Sequence, residues 1–517
     1  MRAATPISVL AAVFALGNLG SAPRAFATMP TGFVDEIVNT GLSQPASFDY
    51  LPDGRILIVE QKTFRVRLIA NGALFASPLL TVTDVNGAGN EQGLLGIAVD
   101  PQWPTRPFVY LYFDHTPGSV IYIVRYKVSG SLTDPSSTNL VFGSRKNLIT
   151  DIPDAASNHN GGTLRFGPDG KLYASLGEDA DKCSAQDSTK FKGNILRMQV
   201  AALDTGTTQP TKAALAPPDN PWPGGNANAA LVFSYGHRNP FRFHIDPVTG
   251  KVYIGDVGEN IWEELDEASG GQNFGWPFRE GPQVMTPPGC TEPGGAGQHF
   301  YNSPIAYYDR TNPPGNAAII GGPRYRPKPG GIYNFPVQFH GAVFYSDYYR
   351  GFLRVLIEQS PGTWVLMTTG VNATDWATSV VNVGDYRVGP DGALYYLKQF
   401  PGELHRIRPT ARTGIGDTRG PEPRVVLSPN PYRAGRGPLM ISAPSTLLAG
   451  SEFIRIVDAS GRVVRTLDRR DFTDADGVAS GRWDGRDAAG RTVTPAVYFF
   501  VIAGRSGRSA ARMVVLP

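Results

Sequence analysis

The chain has 517 residues, of which 60 are Gly and 44 are Pro, and hydrophobic residues make up 41% of it. This length predicts two or three domains, and the many turn-forming residues favour an all-β protein over a helical one. The 48 Lys and Arg residues nearly balance the 45 Asp and Glu residues, so the formal charge of +3 gives no support for nucleic-acid binding.

The first 27 residues have the pattern of a cleaved secretion signal. Arg2 supplies a positive n-region, residues 7–19 are mostly apolar, and Ala25 and Ala27 supply an A-x-A cleavage site. The apolar run is shorter than the roughly 20 residues needed to span a bilayer. We therefore predict cleavage after Ala27 and a secreted or periplasmic mature protein without a membrane span.

A turn rich in Pro, Asp and Gly, followed by a strand, recurs along residues 28–408. It occurs at residues 52–59, 167–174, 246–254 and 389–396. Pro presets φ at the first turn position and Gly takes the left-handed one, so each segment predicts a hairpin. Repeated β-units separated by long loops favour the blades of a β-propeller, although the irregular spacing leaves an array of β-sandwiches open.

Three polar loops between these strands contain a plausible set of active-site residues. Residues 158–162 (Asn-His-Asn-Gly-Gly) form an irregular segment in which His159 can exchange a proton at neutral pH. Residues 236–240 contain Arg238, whose five N–H donors suit carboxylate and similar oxygen atoms. The third loop is residues 256–260 (Asp-Val-Gly-Glu-Asn). The structural alternatives are a histidine that is not catalytic and an arginine that ties loops together through backbone carbonyls.

Together with residues 91–96 (Glu-Gln-Gly-Leu-Leu-Gly), these loops resemble the glucose/sorbosone dehydrogenase family, the soluble quinoprotein sugar dehydrogenases. The resemblance covers about residues 32–408 and implies a six-bladed β-propeller. It also implies an enzyme that requires pyrroloquinoline quinone (PQQ) and calcium. Such an enzyme oxidises a sugar or alcohol hydroxyl by hydride transfer to PQQ.

The resemblance assigns roles to individual residues in these loops. His159 is the general base, and Arg238 stabilises charge that develops on the quinone. Arg238 and Asn239 contact the cofactor, whereas Gln92 and Asn158 bind the substrate. The family commonly has an acidic residue where Asn158 stands, so this position lacks the charge that would raise the basicity of the histidine.

The family also holds a cofactor calcium, which by resemblance would bind the backbone carbonyls of Gly258 and Glu259. Calcium prefers oxygen ligands, and backbone carbonyls are among them. Glu264 matches a carboxylate that belongs to a second calcium site in some members. The alternative is that the acidic residues in 263–267 form an ordinary solvated turn, and a short helical turn is predicted near residues 261–267.

The chain departs from the family where the three carboxylates of PQQ need cationic partners. The positions of the family's arginine pair are Asn382 and Gly384 here, and a family lysine corresponds to Tyr349. Each charge-assisted hydrogen bond contributes roughly 1.5–3 kcal/mol, so the loss of two or three cations weakens cofactor binding.

Three nearby residues are candidates for the cofactor's remaining contacts. Asp385 matches the family, and Arg387 or Arg350 can replace the missing cations if the loops shift. If neither arginine replaces them, a second hypothesis gains support. It is that the chain is a non-catalytic secreted propeller that resembles the hedgehog-interacting-type proteins and binds a partner. A hydrolytic propeller such as a calcium-dependent lactonase is a third hypothesis.

Cys183 and Cys290 are the only cysteines of the chain. An oxidising compartment permits a disulfide between them, but sequence does not establish that they approach each other. Two separate buried thiols are the alternative. Two cysteines are too few for a zinc site.

The composition changes after Arg408. Residues 409–424 are rich in Gly, Pro, Thr and Arg and predict a linker. Residues 425–517 have short strands and tight turns typical of a small β-sandwich. Segments 427–432, 457–467 and 483–491 resemble the immunoglobulin-like domain of flagellar hook-capping proteins, which implies a spacer, a surface-attachment module or a secretion module.

Overall fold

The computed structural model describes residues 27–293, 301–411, 425–428, 430–434, 438–445, 448, 451–475, 478–504 and 507–516. The chain divides into two compact units, residues 1–413 and 414–517. The predicted signal peptide, except for Ala27, and most of the predicted linker lie outside the described residues. Among the described residues, no helix has the length and apolar character needed to cross a membrane.

The first unit consists mainly of strands. In chain order they are β1 (Phe33–Thr40), β2 (Pro45–Tyr50), β3 (Ile56–Glu60), β4 (Arg65–Ala70), β5 (Ala73–Leu74), β6 (Leu80–Thr81), β7 (Leu94–Val99), β8 (Phe108–His115), β9 (Val120–Gly130), β10 (Leu140–Pro153), β11 (Leu164–Phe166), β12 (Leu172–Leu176), β13 (Asn194–Met198), β14 (Val232–Tyr235), β15 (Pro240–Ile245), β16 (Val252–Asp256), β17 (Trp262–Ala268), β18 (Arg279–Glu280), β19 (Gln283–Val284), β20 (Ala306–Asp309), β21 (Ile319–Arg324), β22 (Val343–Asp347), β23 (Leu353–Ser360), β24 (Thr363–Leu366), β25 (Val383–Val388), β26 (Leu394–Lys398) and β27 (Glu403–Pro409). Its helical segments are the short helix α1 (Lys212–Leu215) and the 3-10 turns Lys182–Gln186, Ala229–Leu231 and Val337–Phe339.

These strands form six antiparallel sheets and one small hairpin, β18–β19, within the described residues. The first strands of the sheets are β2, β7, β11, β15, β21 and β25, and each contacts the next in a ring that closes from β25 to β2. Strand β1 pairs with β27 in the last sheet, so the start of the unit joins its end. The prediction of an all-β propeller is confirmed, and the described residues contain six sheets.

The inner strands are buried on both faces, which accounts for their nearly continuous apolar sequences. All six residues of β7 are buried, for example. Leu95 and Ile123 of one sheet pack with Leu164 and Leu196 of the next in a single apolar cluster. The core of the first unit therefore lies between neighbouring sheets and holds the inner strands at fixed distances.

The loops that carry the predicted site residues open on one end of the ring. Each inner strand begins at this end, and the second strand of each sheet finishes there because the pair is antiparallel. The loop before β11 and the turn after β12 therefore meet, as do the loop before β15 and the turn after β16. We call this end of the ring the site end.

The helical turn predicted near residues 261–267 is wrong. These residues belong to β17, which pairs with β16 on one side and β20 on the other. Glu263, Glu264 and Asp266 are buried rather than solvated, so the alternative of an exposed acidic turn is also wrong. Cross-strand pairing outweighs the local preference of this acidic sequence for a turn.

Cys183 and Cys290 form a disulfide, with their Cα atoms 5.2 Å apart. This resolves the choice that the sequence leaves open. The bond fastens the 3-10 turn Lys182–Gln186, which follows the turn after β12, to the segment of the chain that follows β19. It therefore stabilises one of the loops at the site end.

The second unit contains β28 (Val426–Ser428), β29 (Tyr432–Arg433), β30 (Leu439–Pro444), β31 (Ser451–Asp458), β32 (Val463–Leu467), β33 (Phe472–Ala475), β34 (Val478–Trp483), β35 (Ala496–Gly504), β36 (Gly507–Leu516) and the 3-10 turn Arg469–Asp471. One sheet has the order β28-β30-β34-β33, and the other has the order β29-β36-β35-β31-β32. The two sheets share an apolar core that includes Ile441, Trp483, Ile456 and Phe500. The immunoglobulin-like assignment of this unit stays a prediction.

Candidate active site

His159 lies in the loop between β10 and β11, where its backbone takes a left-handed φ of 62°. Its imidazole is largely buried, and Nδ1 hydrogen-bonds Oε1 of Glu178. Glu178 follows β12 through Gly177, and a Cβ atom at position 177 would lie 1.8 Å from the His159 carbonyl oxygen. A glycine at this position therefore allows the two loops to approach closely enough for the carboxylate to reach the imidazole.

The Glu178 carboxylate determines which nitrogen of His159 is available. A carboxylate that accepts from Nδ1 keeps the proton of the neutral imidazole there and leaves a lone pair on Nε2. No described residue forms a hydrogen bond with Nε2. Asn158 is uncharged, but Glu178 provides a carboxylate next to the histidine from another loop.

Glu91 joins the loop of His159 to the loop of Asn239. Its Oε2 accepts a hydrogen bond of 2.9 Å from the His159 backbone N–H and one of 3.0 Å from Asn239 Nδ2. Asn239 Oδ1 in turn accepts from the Gly161 N–H at 3.2 Å. Two of the loops predicted separately from sequence are thus held together by one carboxylate and one amide.

Arg238 lies directly beside Glu178 and Asn239. Its backbone carbonyl accepts from the Glu178 N–H at 2.8 Å, and its own N–H donates to Asp256 Oδ2 at 2.9 Å. The guanidinium donates through Nη1 to the Val257 carbonyl at 2.9 Å and lies 5.5 Å from the centroid of the Trp276 ring. Its Nε is buried and has no partner among the described residues. A buried, unused donor of this kind suits an anionic or carbonyl ligand oxygen.

Gln92 is buried, and its amide is bound within the protein. Nε2 donates to both oxygens of Asp154, at 3.1 and 3.0 Å, and Oε1 accepts from the Gly89 N–H at 2.9 Å. Asp154 Oδ1 also accepts from Asn160 Nδ2 at 2.7 Å, and burial raises the pKa of Asp154 to about 6. Asn158 is only partly buried, and its side chain forms no hydrogen bond with a described residue. Asn158 is therefore freer than Gln92 to meet a substrate.

The Gly258 carbonyl, the first predicted calcium ligand, is occupied by a side chain. Nη1 of Arg310 donates to this carbonyl and also to Oε1 of Glu263. The next four backbone N–H groups, of residues 259–262, all point at Glu280 Oε1 from 2.7 to 3.3 Å. The loop predicted to hold the cofactor calcium is therefore bound by an arginine on one side and a carboxylate on the other.

A buried charge cluster lies beneath these loops. Glu264 Oε2 accepts from the Gly281 N–H at 2.8 Å, and burial, followed by the charges of Asp266 and Asp256, raises its pKa well above the usual range. His237 lies between the two aspartates, within 3.6 Å of each. Burial opposes its positive charge, but both aspartates outweigh burial and raise the pKa of His237 to about 9. The imidazolium thus balances part of the acidic charge.

Comparison with known proteins decides the family. The model of the Glucose / Sorbosone dehydrogenase family matches residues 42–406. The chain belongs to this family. The aldose sugar dehydrogenase YliI of Escherichia coli (strain K12) is 24% identical over 386 residues, which are 72% of this chain and 92% of that protein.

Solved structures of similar proteins have the same fold. A putative oxidoreductase (glucose dehydrogenase) of Thermus thermophilus is 26% identical, with a TM-score of 0.55 over 73% of this chain and 100% of that one. The PQQ-bound aldose sugar dehydrogenase of Streptomyces coelicolor is 23% identical, with a TM-score of 0.52 over 74% of this chain and 99% of that one. The first unit therefore has the propeller fold of its glucose/sorbosone dehydrogenase relatives.

Asp385 and Arg387 do not join the His159 loops of this family member. Asp385 is fully buried, bonded to Ser47 Oγ at 2.8 Å and paired with Arg165. Burial opposes its ionisation, but Arg165 and then Arg387 outweigh burial and hold the pKa of Asp385 well below the usual range. Arg387 lies near the end of β25 away from the site end, where Nε donates to the Phe48 carbonyl at 2.9 Å. Both residues serve a buried ion network between inner strands.

The arginine pair of the family has no replacement at positions 382–384 or 350. A Cβ atom at Gly384 would lie 2.8 Å from the Pro45 carbonyl oxygen, so a side chain there requires the neighbouring strand to move. Arg350 donates to the carbonyls of Asp309, Arg310 and Pro313 at 2.6–2.8 Å. Tyr349 is 52% exposed and carries no charge.

Sequence reasoning missed the carboxylates that organise the site. Glu91 immediately precedes Gln92 in a motif already singled out, and Glu178 follows the hairpin that begins after His159. The antiparallel pairing of β11 and β12 returns the chain to the same end, so this partner was available from the pattern. Arg310 gave no such signal, because it lies 52 residues from the Gly258 carbonyl that it binds.

Proposed function

We propose that the chain is a PQQ-dependent dehydrogenase that oxidises a CH–OH group of a sugar or alcohol. The observation that carries this proposal is the hydrogen-bonded pair of His159 and Glu178 with Arg238 beside it. Family membership supports it, as do the names of the relatives: one is an aldose sugar dehydrogenase, and the Streptomyces coelicolor structure is a PQQ-bound form.

His159 takes the proton of the substrate hydroxyl at Nε2. The hydrogen bond from Nδ1 to Glu178 maintains the tautomer that has its lone pair on Nε2. When the imidazole gains its second proton, the Glu178 carboxylate balances the new positive charge. Glu178 is thus the positioning residue and His159 the catalytic base, while Glu91 holds the histidine backbone in its left-handed conformation.

Arg238 and Asn239 are the residues that would hold the quinone. Bound PQQ supplies the hydride acceptor. The unpartnered Nε of Arg238 would be free to donate to an oxygen of the quinone, and the Trp276 ring packed against the guanidinium limits its rotation. The fit is partial, because the described site end offers no arginine pair at Asn382 and Gly384 for the remaining carboxylates.

The proposal extends to the substrate and to export. The partly exposed Asn158 amide contacts a hydroxyl of the sugar or alcohol, and the buried Gln92 supports the loop behind it. The N-terminal pattern in residues 1–27 supports export, and the Cys183–Cys290 disulfide supports it too, because disulfides persist in oxidising compartments. The second unit then serves as a spacer or as a surface-attachment or secretion module.

Calorimetric titration of the mature protein, residues 28–517, with PQQ tests the proposal, followed by dye-linked oxidation of a sugar and alcohol panel. We expect saturable binding at micromolar affinity or tighter. His159→Gln should keep PQQ affinity and lose turnover by about 10²–10⁴-fold, whereas His340→Gln, at an exposed position, should change neither. Absence of PQQ binding by a folded protein would overturn the proposal.

The second candidate function is a non-catalytic secreted binding module of the hedgehog-interacting type. The observation that favours it is the loss of cations at Asn382, Gly384 and Tyr349 opposite a ligand with three carboxylates. A folded protein that binds no PQQ would support this function. Its partner would then be sought by affinity capture with the intact two-unit chain and with a variant that lacks residues 414–517.

A further inference from the structure

Arg310 binds the Gly258 carbonyl, which the family resemblance assigns to calcium. One nitrogen, Nη1, donates both to this carbonyl and to the Glu263 carboxylate. The Glu263 side chain is fully buried, and the Arg310 side chain is 20% exposed. A carbonyl and a carboxylate are oxygen ligands of the kind that calcium takes, so the guanidinium and the ion compete for the same atoms.

The backbone of Arg310 is also bound to the loop of residues 256–262. Its backbone N–H donates to the Ile261 carbonyl at 2.7 Å, and its carbonyl accepts from Arg350 Nη2 at 2.6 Å. The backbone N–H groups of residues 259–262 converge on Glu280. A calcium ion could therefore take these oxygen atoms only by displacing a side chain whose backbone is itself bound to the same loop.

Arg310 also lies next to Arg238, the cation that the family motif at residues 236–240 supplies. Arg238 Nη1 binds the Val257 carbonyl at 2.9 Å, and Arg310 Nη1 binds the carbonyl of the following residue. Burial raises the pKa of Glu263 to about 8, and the charges of both arginines oppose this rise. Two guanidinium groups are therefore bound to consecutive carbonyls at the site end.

We propose that Arg310 is the resident cation of this loop, so that the chain does not bind calcium at Gly258 and uses Arg310 in its place. Arg310 then supplies a positive charge beside Arg238 to an anionic or carbonyl oxygen of the cofactor. The first part is independent of the proposed function, and the second part, the contact with the cofactor, rests on it.

Calcium binding to the cofactor-free protein tests the first part. We expect Arg310→Gln to gain calcium binding, measured by calorimetry and by a rise in melting temperature relative to EGTA. The gain should disappear in Arg310→Gln combined with Glu263→Gln. Lys182→Gln removes a nearby cation that pairs with the Glu259 side chain instead, and it should behave as the wild type. If Arg310→Gln folds only when calcium is added, that result also supports the proposal.

Two outcomes would overturn it. One is a wild-type protein whose calcium affinity falls tenfold or more on Glu263→Gln, since calcium would then already use this carboxylate. The other is a folded Arg310→Gln protein that gains no calcium binding. PQQ titration in EGTA tests the second part: Arg310→Gln should weaken binding by about 10- to 100-fold, the loss of one charge-assisted hydrogen bond. If the wild type binds no PQQ, the proposed function fails while the calcium result still stands.

Discussion

The two sides of the candidate site are built differently. On the side of His159, two carboxylates, Glu91 and Glu178, organise backbone and imidazole, and the second lies only 19 residues from the histidine. On the side of Gly258, an arginine from a loop 52 residues away binds the predicted metal ligand. The imidazole and its carboxylate partner thus come from one hairpin, with Glu91 added from a motif already visible in the sequence, whereas the charge of the cofactor side depends on a residue that no motif indicates. A family motif therefore predicts the first side better than the second.

The sharpest test of the first side is Glu178→Gln, which keeps the shape and removes the charge beside His159. The amide can also present its NH₂ group to Nδ1, which would favour the wrong tautomer. We expect kcat to fall by about 10²–10⁴-fold at unchanged PQQ affinity. Asp181→Asn in the same turn, with a half-exposed carboxylate, should have little effect. Equal effects of the two variants would contradict the role of Glu178.

The second test measures how the stability of the protein depends on pH. It concerns the buried charge cluster around His237, which lies beneath both sides of the site. The folded pKa of His237, about 9, lies above the ordinary histidine value of 6.5. Its contribution is therefore fully present below about pH 6.5 and is lost as pH rises through 9. The shift corresponds to about 3 kcal/mol. Urea unfolding should show a lower free energy of unfolding at pH 10 than at pH 6 in the wild type, and a smaller difference in His237→Gln. Equal differences in the two proteins would contradict this role of His237.

The close approach of the two loops gives a third test, Gly177→Ala. The new methyl group would lie 1.8 Å from the His159 carbonyl oxygen, so one of the loops must move. We expect the free energy of unfolding to fall by about 2 kcal/mol, as in other overpacked sites, with a loss of turnover. Gly143→Ala, where the added atom would lie 3.3 Å from the nearest carbonyl oxygen, is the control and should be close to neutral.

The smallest expected effect concerns Gln92, which the family resemblance assigns to the substrate. Its amide is bound to Asp154, which also holds Asn160 beside His159. We expect Gln92→Ala to lower kcat about tenfold with little change in KM, the loss of about one hydrogen bond in the support of the base. A rise in KM at constant kcat would instead indicate direct contact with the sugar.

Much of the fold followed from local sequence. The Pro-Asp-Gly turns predicted the hairpins, and the motif residues His159, Arg238 and Asn239 do lie together at the site end. Asp385 and Arg387 could not be located in the same way, because the sequence does not tell how far along an inner strand a residue lies from the site end. The acidic run in 261–267 was misread because its side chains are buried by pairing with β16 and β20, which no local pattern reports.

The pairing of β1 with β27 has a consequence for biogenesis. The sheet that joins the two ends needs Phe33–Thr40 and Glu403–Pro409 at the same time. A nascent chain cannot complete the ring until most of its length has been synthesised. Throughout that interval the propeller keeps an open edge, and the ring closes only when β27 becomes available to pair with β1.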